Sequence, residues 1–192
     1  MANPAKQYCK SLTLQPQHLK AFEQLFADWK SPRHLDAVAS REVFTIQPDY
    51  LNILDAEEKL LDRMGDRCRT DSESSKTNAG YYENTPMCRD AVSIVREMYP
   101  DQKVYSKGAI YYPPQSYMGW HTNSNCTGKR VYISWSAESD KNFFRYRIGN
   151  KTTTVFESRG INAREFYVSD NPVFWHCVGC STHRFSMGFL VI

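Results

Sequence analysis

The chain has 192 residues, of which 41% are hydrophobic and 14% aromatic, and its 24 Lys and Arg against 21 Asp and Glu leave a formal net charge of +3. A chain of this length can bury one substantial core, so we expect a single domain over residues 1–192. The low, scattered charge argues against a nucleic-acid partner. The sequence contains neither a signal peptide nor an apolar stretch of about 18 residues, so we expect a soluble, cytoplasmic protein without a membrane partner.

Three helices are predicted in the first hundred residues. Apolar residues recur at spacings of three and four between Gln15 and Trp29, and again between about Pro48 and Met64. A third helix is expected to begin at Pro86 and to stop before Tyr99-Pro100. The polar segment 66–83 is expected to form a long exposed loop or a lid. We expect the helical part, residues 1–103, to buttress one sheet of the core that follows.

After Pro100 the pattern changes to alternation, with short β-branched and aromatic runs divided by Gly, Asn, Asp and Pro. Turn signals about every ten residues are typical of a jelly roll, so the predicted fold class is α+β, with residues 104–192 forming the antiparallel core. Eight strands are predicted: Lys107–Tyr112, Tyr117–Asn123, Arg130–Ser136, Asn142–Ile148, Thr152–Glu157, Arg164–Val168, Val173–Val178 and Arg184–Val191.

Three of these strands carry polar side chains on a single face. Because side chains alternate along a strand, His121 and Asn123 are expected to share a face of the second strand with Tyr117 and Gly119. On the seventh strand His176 shares a face with Phe174 and Val178. On the eighth strand one face carries Arg184, Ser186 and Gly188.

At these strands the sequence resembles the 2-oxoglutarate/iron(II) oxygenase superfamily, in its prolyl-hydroxylase-like branch. The two segments that carry the resemblance are YPPQSYMGWHTN at Tyr112–Asn123 and FWHCVGCSTHRFS at Phe174–Ser186. The family pattern is His-x-Asp/Glu on the second strand, a distant His on the seventh, and Arg or Lys eight to ten residues later. Over residues 104–192, the resemblance implies a double-stranded β-helix of about eight antiparallel strands that uses iron(II), 2-oxoglutarate and O₂.

The resemblance also implies roles for individual residues. His121, Asn123 and His176 occupy the metal-ligand positions, Arg184 the position that anchors the co-substrate, and Tyr112 and Ser186 positions that hydrogen-bond it. Two imidazoles and an oxygen ligand on one side of a metal leave open positions for a chelating 2-oxo acid and for O₂. The planar fork of a guanidinium matches the far carboxylate of the co-substrate.

The Asn at position 123 departs from the family pattern, which has a carboxylate there. Three explanations remain open: Asn123 is a working neutral ligand, the position is left to water, an anion or another acidic side chain, or the fold has lost its chemistry. The leading function, which the resemblance implies, is a 2-oxoglutarate- and iron(II)-dependent hydroxylase. The alternative is a catalytically inactive jelly-roll binding protein. A small molecule or a protein side chain is the expected substrate, because Leu190 stands where nucleic-acid demethylases usually carry a second arginine.

We expect the remaining histidines and the cysteines to be structural and not to bind a metal or a ligand. His183 is expected on the face opposite to Arg184, and His18 and His34 lie in the helical part. The six cysteines are expected to be free thiols, because a chain of this size can stabilise itself through its core. Cys177 and Cys180 form a C-x-x-C pattern, but without a second pair of ligands nearby in sequence a zinc site is not favoured.

Overall fold

In the part of the chain that the structure describes, ten strands form two antiparallel sheets that face each other in a jelly roll. The computed structural model describes residues 8–29, 48–64, 80–82, 86–124, 126–169 and 171–192. The six-stranded sheet has the order β1-β8-β5-β10-β3-β2, and the four-stranded sheet the order β4-β9-β6-β7. The strands are β1 (Cys9–Ser11), β2 (Gly80–Tyr82), β3 (Val104–Tyr112), β4 (Ser116–His121), β5 (Gly128–Ser136), β6 (Asn142–Ile148), β7 (Lys151–Phe156), β8 (Gly160–Val168), β9 (Trp175–Cys180) and β10 (Arg184–Val191).

The predicted jelly roll is confirmed, and its eight strands correspond to β3–β10. The structure adds β1 and β2, which pair with β8 and β3 at the two edges of the larger sheet. Each has only three residues, too few for an alternating pattern to be visible in the sequence. Strand β2 lies within the segment 66–83, where a loop was predicted, and the prediction is wrong for residues 80–82. The rest of that segment lies outside the described residues.

Two helices cover the outer face of the six-stranded sheet. They are α1 (Pro16–Trp29) and α3 (Pro86–Met98), close to the predicted bounds. Their apolar faces pack on side chains that point outward from β5 and β10, because residues two apart on a strand share a face. The members of this core include Phe22, Phe26, Ala91, Val95, Val131, Ile133, Phe185, Met187 and Phe189. This packing fixes which residues of β5 and β10 point inward, toward the other sheet.

The remaining helix, α2 (Tyr50–Met64), covers the four-stranded sheet instead. The expectation that all helices buttress one sheet is therefore wrong. The outer face of the smaller sheet carries Trp120 and Trp175, which Leu54 and Leu61 of α2 cover. That burial removes large apolar surface from water, and it is the physical reason for a helix on each side.

Acidic residues beside the apolar face of α2 also contact the sheet. Asp55 pairs with Arg145 at 2.8 Å, and Asp62 pairs with Arg147, so the helix is held to β6 by charge as well as by apolar contact. None of the described helices is long and apolar enough to cross a membrane. No disulfide joins the five cysteines that the structure describes, Cys9, Cys88, Cys126, Cys177 and Cys180.

Candidate metal centre between the sheets

Strand β4 contains a bulge immediately before His121. Met118 pairs with Val178 of β9, whereas His121 pairs with His176, so three residues of β4 advance against two of β9. The backbone N–H of Trp120 instead donates to Oε2 of Glu57, on α2, at 3.1 Å. Gly119 permits this approach, because a Cβ there would lie 2.7 Å from the same oxygen. A carboxylate from α2 therefore completes the hydrogen bonding of the bulge.

The bulge changes which side chains of β4 share a face. Simple alternation predicted that Tyr117 and His121 point the same way, and this is wrong. Tyr117 and Trp120 both pack outward under α2, whereas Met118 and His121 both line the space between the sheets. Without the extra residue His121 would point away from His176, because a shift of one residue turns a side chain to the opposite face.

His121 and His176 lie directly opposite each other, with ring centroids 4.1 Å apart. Nδ1 of His121 donates to the carbonyl oxygen of Gly119 at 2.8 Å, and Nδ1 of His176 points to that of Phe174 at 3.4 Å. Because a carbonyl oxygen can only accept, the ring protons sit on Nδ1 and the lone pairs on Nε2. This tautomer, held by backbone carbonyls, is the one in which imidazole pairs usually bind a metal.

Asn123 joins the two histidines although it lies just beyond the end of β4. Its Nδ2 donates to Nε2 of His176 at 3.0 Å and to the hydroxyl of Tyr132 at 3.2 Å. Its φ of 54° is in the left-handed region, which Asn tolerates better than most residues. A half turn of the amide would exchange Nδ2 for Oδ1 and present an oxygen ligand. The donor set therefore fits a divalent metal, with a neutral oxygen as its third member.

No acidic side chain replaces the missing carboxylate within the part of the chain that the structure describes. There, no group of three or more His, Cys, Asp or Glu side chains is placed to hold a metal. Cys177 and Cys180 do not form such a group either, because Cys177 packs outward beneath α2 and Cys180 points into the space between the sheets. Any further negative charge at His121 and His176 would therefore come from a ligand or from residues outside the described ranges.

The electrostatics keep His176 neutral. Burial lowers the pKa of His176 well below its ordinary value, and the electrostatic effects of the neighbouring His121 and Arg130 side chains act in the same direction. The carbonyl oxygen of Phe174 opposes this shift only in part. A neutral imidazole has a free lone pair, so no proton competes with a metal at His176.

The two histidines open into a small cavity. Its lining includes the predicted co-substrate residues Tyr112 and Ser186, together with Lys107 near its mouth. The cavity volume is about 30 Å³. Such a space holds one or two water molecules, so a larger ligand enters only if lining side chains move.

Arg184, the predicted anchor for the co-substrate, is engaged by a carboxylate that the sequence analysis missed. Nε and Nη2 of Arg184 donate to the two oxygens of Glu157, each at 2.9 Å. Arg164 and Ser134 donate to the same carboxylate at 3.0 and 2.8 Å, so the fully buried Glu157 accepts four hydrogen bonds from three side chains. On the sequence, Glu157 is only the last residue of a predicted strand, and no spacing rule points to it.

One edge of the Arg184 guanidinium is not used by Glu157. Nη1 is buried and has no hydrogen-bond partner among the described residues. The guanidinium lies against the ring of Tyr112, with its central carbon 5.1 Å from the ring centroid. Tyr112 itself lines the histidine cavity. Arg184 thus keeps donors for one more acceptor on the Nη1 side, next to a cavity wall.

Comparisons with known proteins identify related folds only. No family model matches the sequence, and no curated protein matches it. One similar solved structure is a 2OG-Fe(II) oxygenase family oxidoreductase from Burkholderia pseudomallei, with 13% identity and a TM-score of 0.40 over 53% of this chain and 52% of that one. A Pseudomonas putida prolyl-4-hydroxylase has 12% identity and a TM-score of 0.44 over 77% of this chain and 88% of that one. A Trichoplax adhaerens prolyl hydroxylase in complex with a hypoxia inducible factor peptide has 12% identity and a TM-score of 0.46 over 94% of each chain. The chain spans about half the length of the Burkholderia protein.

Proposed function

We propose that the protein is a 2-oxoglutarate- and iron(II)-dependent oxygenase that hydroxylates a small molecule or a protein side chain. The observation that carries the proposal is the pair of buried imidazoles, opposite each other on β4 and β9, with both Nδ1 atoms directed at backbone carbonyls. Asn123, whose Nδ2 lies 3.0 Å from Nε2 of His176, would supply the third ligand through its amide oxygen after a half turn of the amide. Three ligands on one side of the metal leave room for the 2-oxo acid and for O₂.

The other site residues would bind and orient the co-substrate. Iron(II) with 2-oxoglutarate would supply the activation of O₂. Arg184 would bind the far carboxylate through its Nη1 side, while Glu157 holds the opposite edge and fixes the direction of the guanidinium. The hydroxyls of Tyr112 and Ser186 would add hydrogen bonds from the cavity wall. Because the cavity is small, the lining must open to admit the acid, and reclosure would exclude water from the site.

The test is iron binding together with O₂-dependent release of succinate from 2-oxoglutarate. We expect the wild type to bind iron(II) and to release succinate slowly without an added substrate. His176→Ala removes one of two imidazole ligands and should abolish both signals. His183→Ala is the matched control, because His183 is exposed and bonds Tyr111 on the outer face of the sheet. Metal binding without succinate release would instead favour the catalytically inactive binding protein.

The co-substrate anchor can be tested separately. Arg184→Ala should raise the 2-oxoglutarate concentration needed for half-maximal activity, because losing a charge-assisted contact at a buried site costs about 2–5 kcal/mol. Arg184→Lys keeps the charge beside Glu157 but loses the fork, so it should recover only part of the loss. Arg164→Lys is the control, since it loosens the same carboxylate without facing the co-substrate. An unchanged 2-oxoglutarate dependence in Arg184→Ala would show that the anchor is another residue.

A further inference from the structure

A second arginine, Arg130, is buried beside the candidate metal centre and has few partners among the residues that the structure describes. It is 2% exposed, and its Nε and Nη1 have no hydrogen-bond partner among the described residues. Nη2 donates to the carbonyl oxygen of Cys126, and the Arg130 side chain also hydrogen-bonds the Cys126 thiol. Nε carries one N–H and Nη1 carries two, so three strong donors are left unsatisfied. No ion pair to Arg130 is formed within the described ranges, in contrast to Arg164 and Arg184.

The position of Arg130 relates it to the histidines. It shares the inward face of β5 with Tyr132, two residues along the strand and therefore about 7 Å away. Tyr132 accepts a hydrogen bond from Asn123. A second link runs through the turn before β5, where the Cys126 N–H donates to the carbonyl oxygen of Asn123 at 3.1 Å. Arg130 therefore bonds Cys126 of the turn that also contains Asn123, and it lies on the same strand face as Tyr132, the other partner of Asn123.

Lys107 adds a second cation at the same place. It lines the histidine cavity, and it reaches the thiol of Cys126 together with Arg130. Although the slight burial of Cys126 acts to raise the pKa of its thiol, hydrogen bonds from these two cations outweigh it and lower the pKa. Lys107 is exposed and Cys126 is partly exposed, so this basic rim is open to a ligand from solvent.

We propose that Arg130 and Lys107 form a binding site for a carboxylate group at the rim of the histidine cavity. A buried guanidinium without a counter-ion is costly, and a bound carboxylate would accept from its unused N–H groups. The carboxylate also supplies the negative charge that Asn123 does not. It belongs either to the 2-oxo acid or to an acidic substrate, and the second source would make the proposed hydroxylase specific for carboxylated substrates.

The experiment measures acetate and 2-oxoglutarate binding to the metal-free, full-length protein by calorimetry and by thermal shift. Sodium chloride at equal ionic strength corrects for general salt effects. The variants are Arg130→Met and Lys107→Met, with Arg130→Lys as a milder change if Arg130→Met does not fold. Lys129→Met is the matched control, because Lys129 is the next residue of β5 but points outward to the ring of Tyr99, 4.5 Å away.

Wild type and Lys129→Met should be stabilised by acetate beyond the effect of chloride. Arg130→Met should lose about tenfold or more of the acetate affinity, with a smaller loss in Lys107→Met and in Arg130→Lys. If Arg130→Met also loses 2-oxoglutarate affinity, the site serves the 2-oxo acid; if only acetate binding falls, it serves the substrate. Unchanged acetate binding in both Arg130 variants would overturn the proposal. The acetate measurement needs neither metal nor turnover, so it is independent of the proposed oxygenase activity on which the assignment of the carboxylate rests.

Discussion

Replacing Glu157 by Gln is expected to lower the free energy of unfolding by about 3–5 kcal/mol, because removing one member of a buried ion pair leaves the others uncompensated. Glu157 is completely buried and forms ion pairs with both Arg184 and Arg164. A glutamine there would place an amide NH₂ group among three donors. Urea unfolding, with the slope compared between the two proteins, measures the loss.

The control for this substitution is Glu138→Gln, which removes the same charge from an exposed position. We expect that variant to stay within about 0.5 kcal/mol of the wild type. If Glu157→Gln lowered the free energy of unfolding no more than Glu138→Gln does, the two arginines would have found other hydrogen-bond acceptors. In that case Glu157 would not fix the direction of Arg184.

The same carboxylate predicts how stability depends on pH. Burial alone would raise the pKa of Glu157, but the charges of Arg184 and Arg164 outweigh it and hold the pKa below its ordinary value of 4.5. A group whose pKa is lower in the folded state stabilises the fold above its unfolded pKa and loses that contribution as the pH falls through its folded pKa. The free energy of unfolding of the wild type should therefore decrease as the pH is lowered below about 4.5. Part of this decrease should be absent in Glu157→Gln.

Replacing Asn123 by Asp is expected to tighten iron(II) binding by about tenfold or more, since a carboxylate is a stronger oxygen donor to a dication than an amide is. The left-handed backbone at this position suits Asp as well as Asn. Iron titration of the two proteins, followed by succinate release at matched iron occupancy, separates the three explanations for Asn123. If Asn123 is a working ligand, activity should survive in Asn123→Asp.

Other outcomes would identify the remaining explanations. If the wild type uses an external anion as a metal ligand, the new carboxylate should occupy that place and alter or uncouple the chemistry. If the protein is only a binder, neither form should release succinate however tightly iron binds. Asn150→Asp is the control, because Asn150 is exposed in the turn between β6 and β7 and should leave iron affinity unchanged.

The strands that carry the site could be predicted because their patterns are local. β9 and β10 alternate without interruption, so the inward placement of His176, Val178, Arg184 and Ser186 followed directly from a period of two. Strand β4 was predicted from the same rule, but its bulge breaks the alternation at Gly119. His121 was assigned to the interior correctly, and Asn123 lies beside it as expected, but Tyr117, assigned to the same face, points outward. Alternation along the strand could not predict the bulge, because the bulge is stabilised by Glu57, a side chain of a distant helix.

The charged residues of the site could not be predicted for a similar reason. Glu157 meets its partners only through the fold, since it bonds residues 7, 23 and 27 positions away on other strands, whereas Arg130 bonds Cys126 in the turn before its own strand. In the sequence each is one charged residue in a strand, where an exposed position is the usual expectation. Only the structure shows that one carboxylate holds two arginines and that a third arginine lacks such a partner among the described residues.

The bulge in β4 links the candidate metal centre to a helix on the outside of the molecule. Glu57 of α2 accepts the backbone N–H that the bulge withdraws from the strand ladder, and the Leu54 carbonyl accepts from the indole of Trp120 at 3.0 Å. His121 follows directly, so its position depends on α2 remaining docked. By thermodynamic linkage, a metal that favours this arrangement of His121 must strengthen the docking of α2 by the same free energy. A partner that pulled α2 away would correspondingly weaken metal binding, although it never contacted the metal.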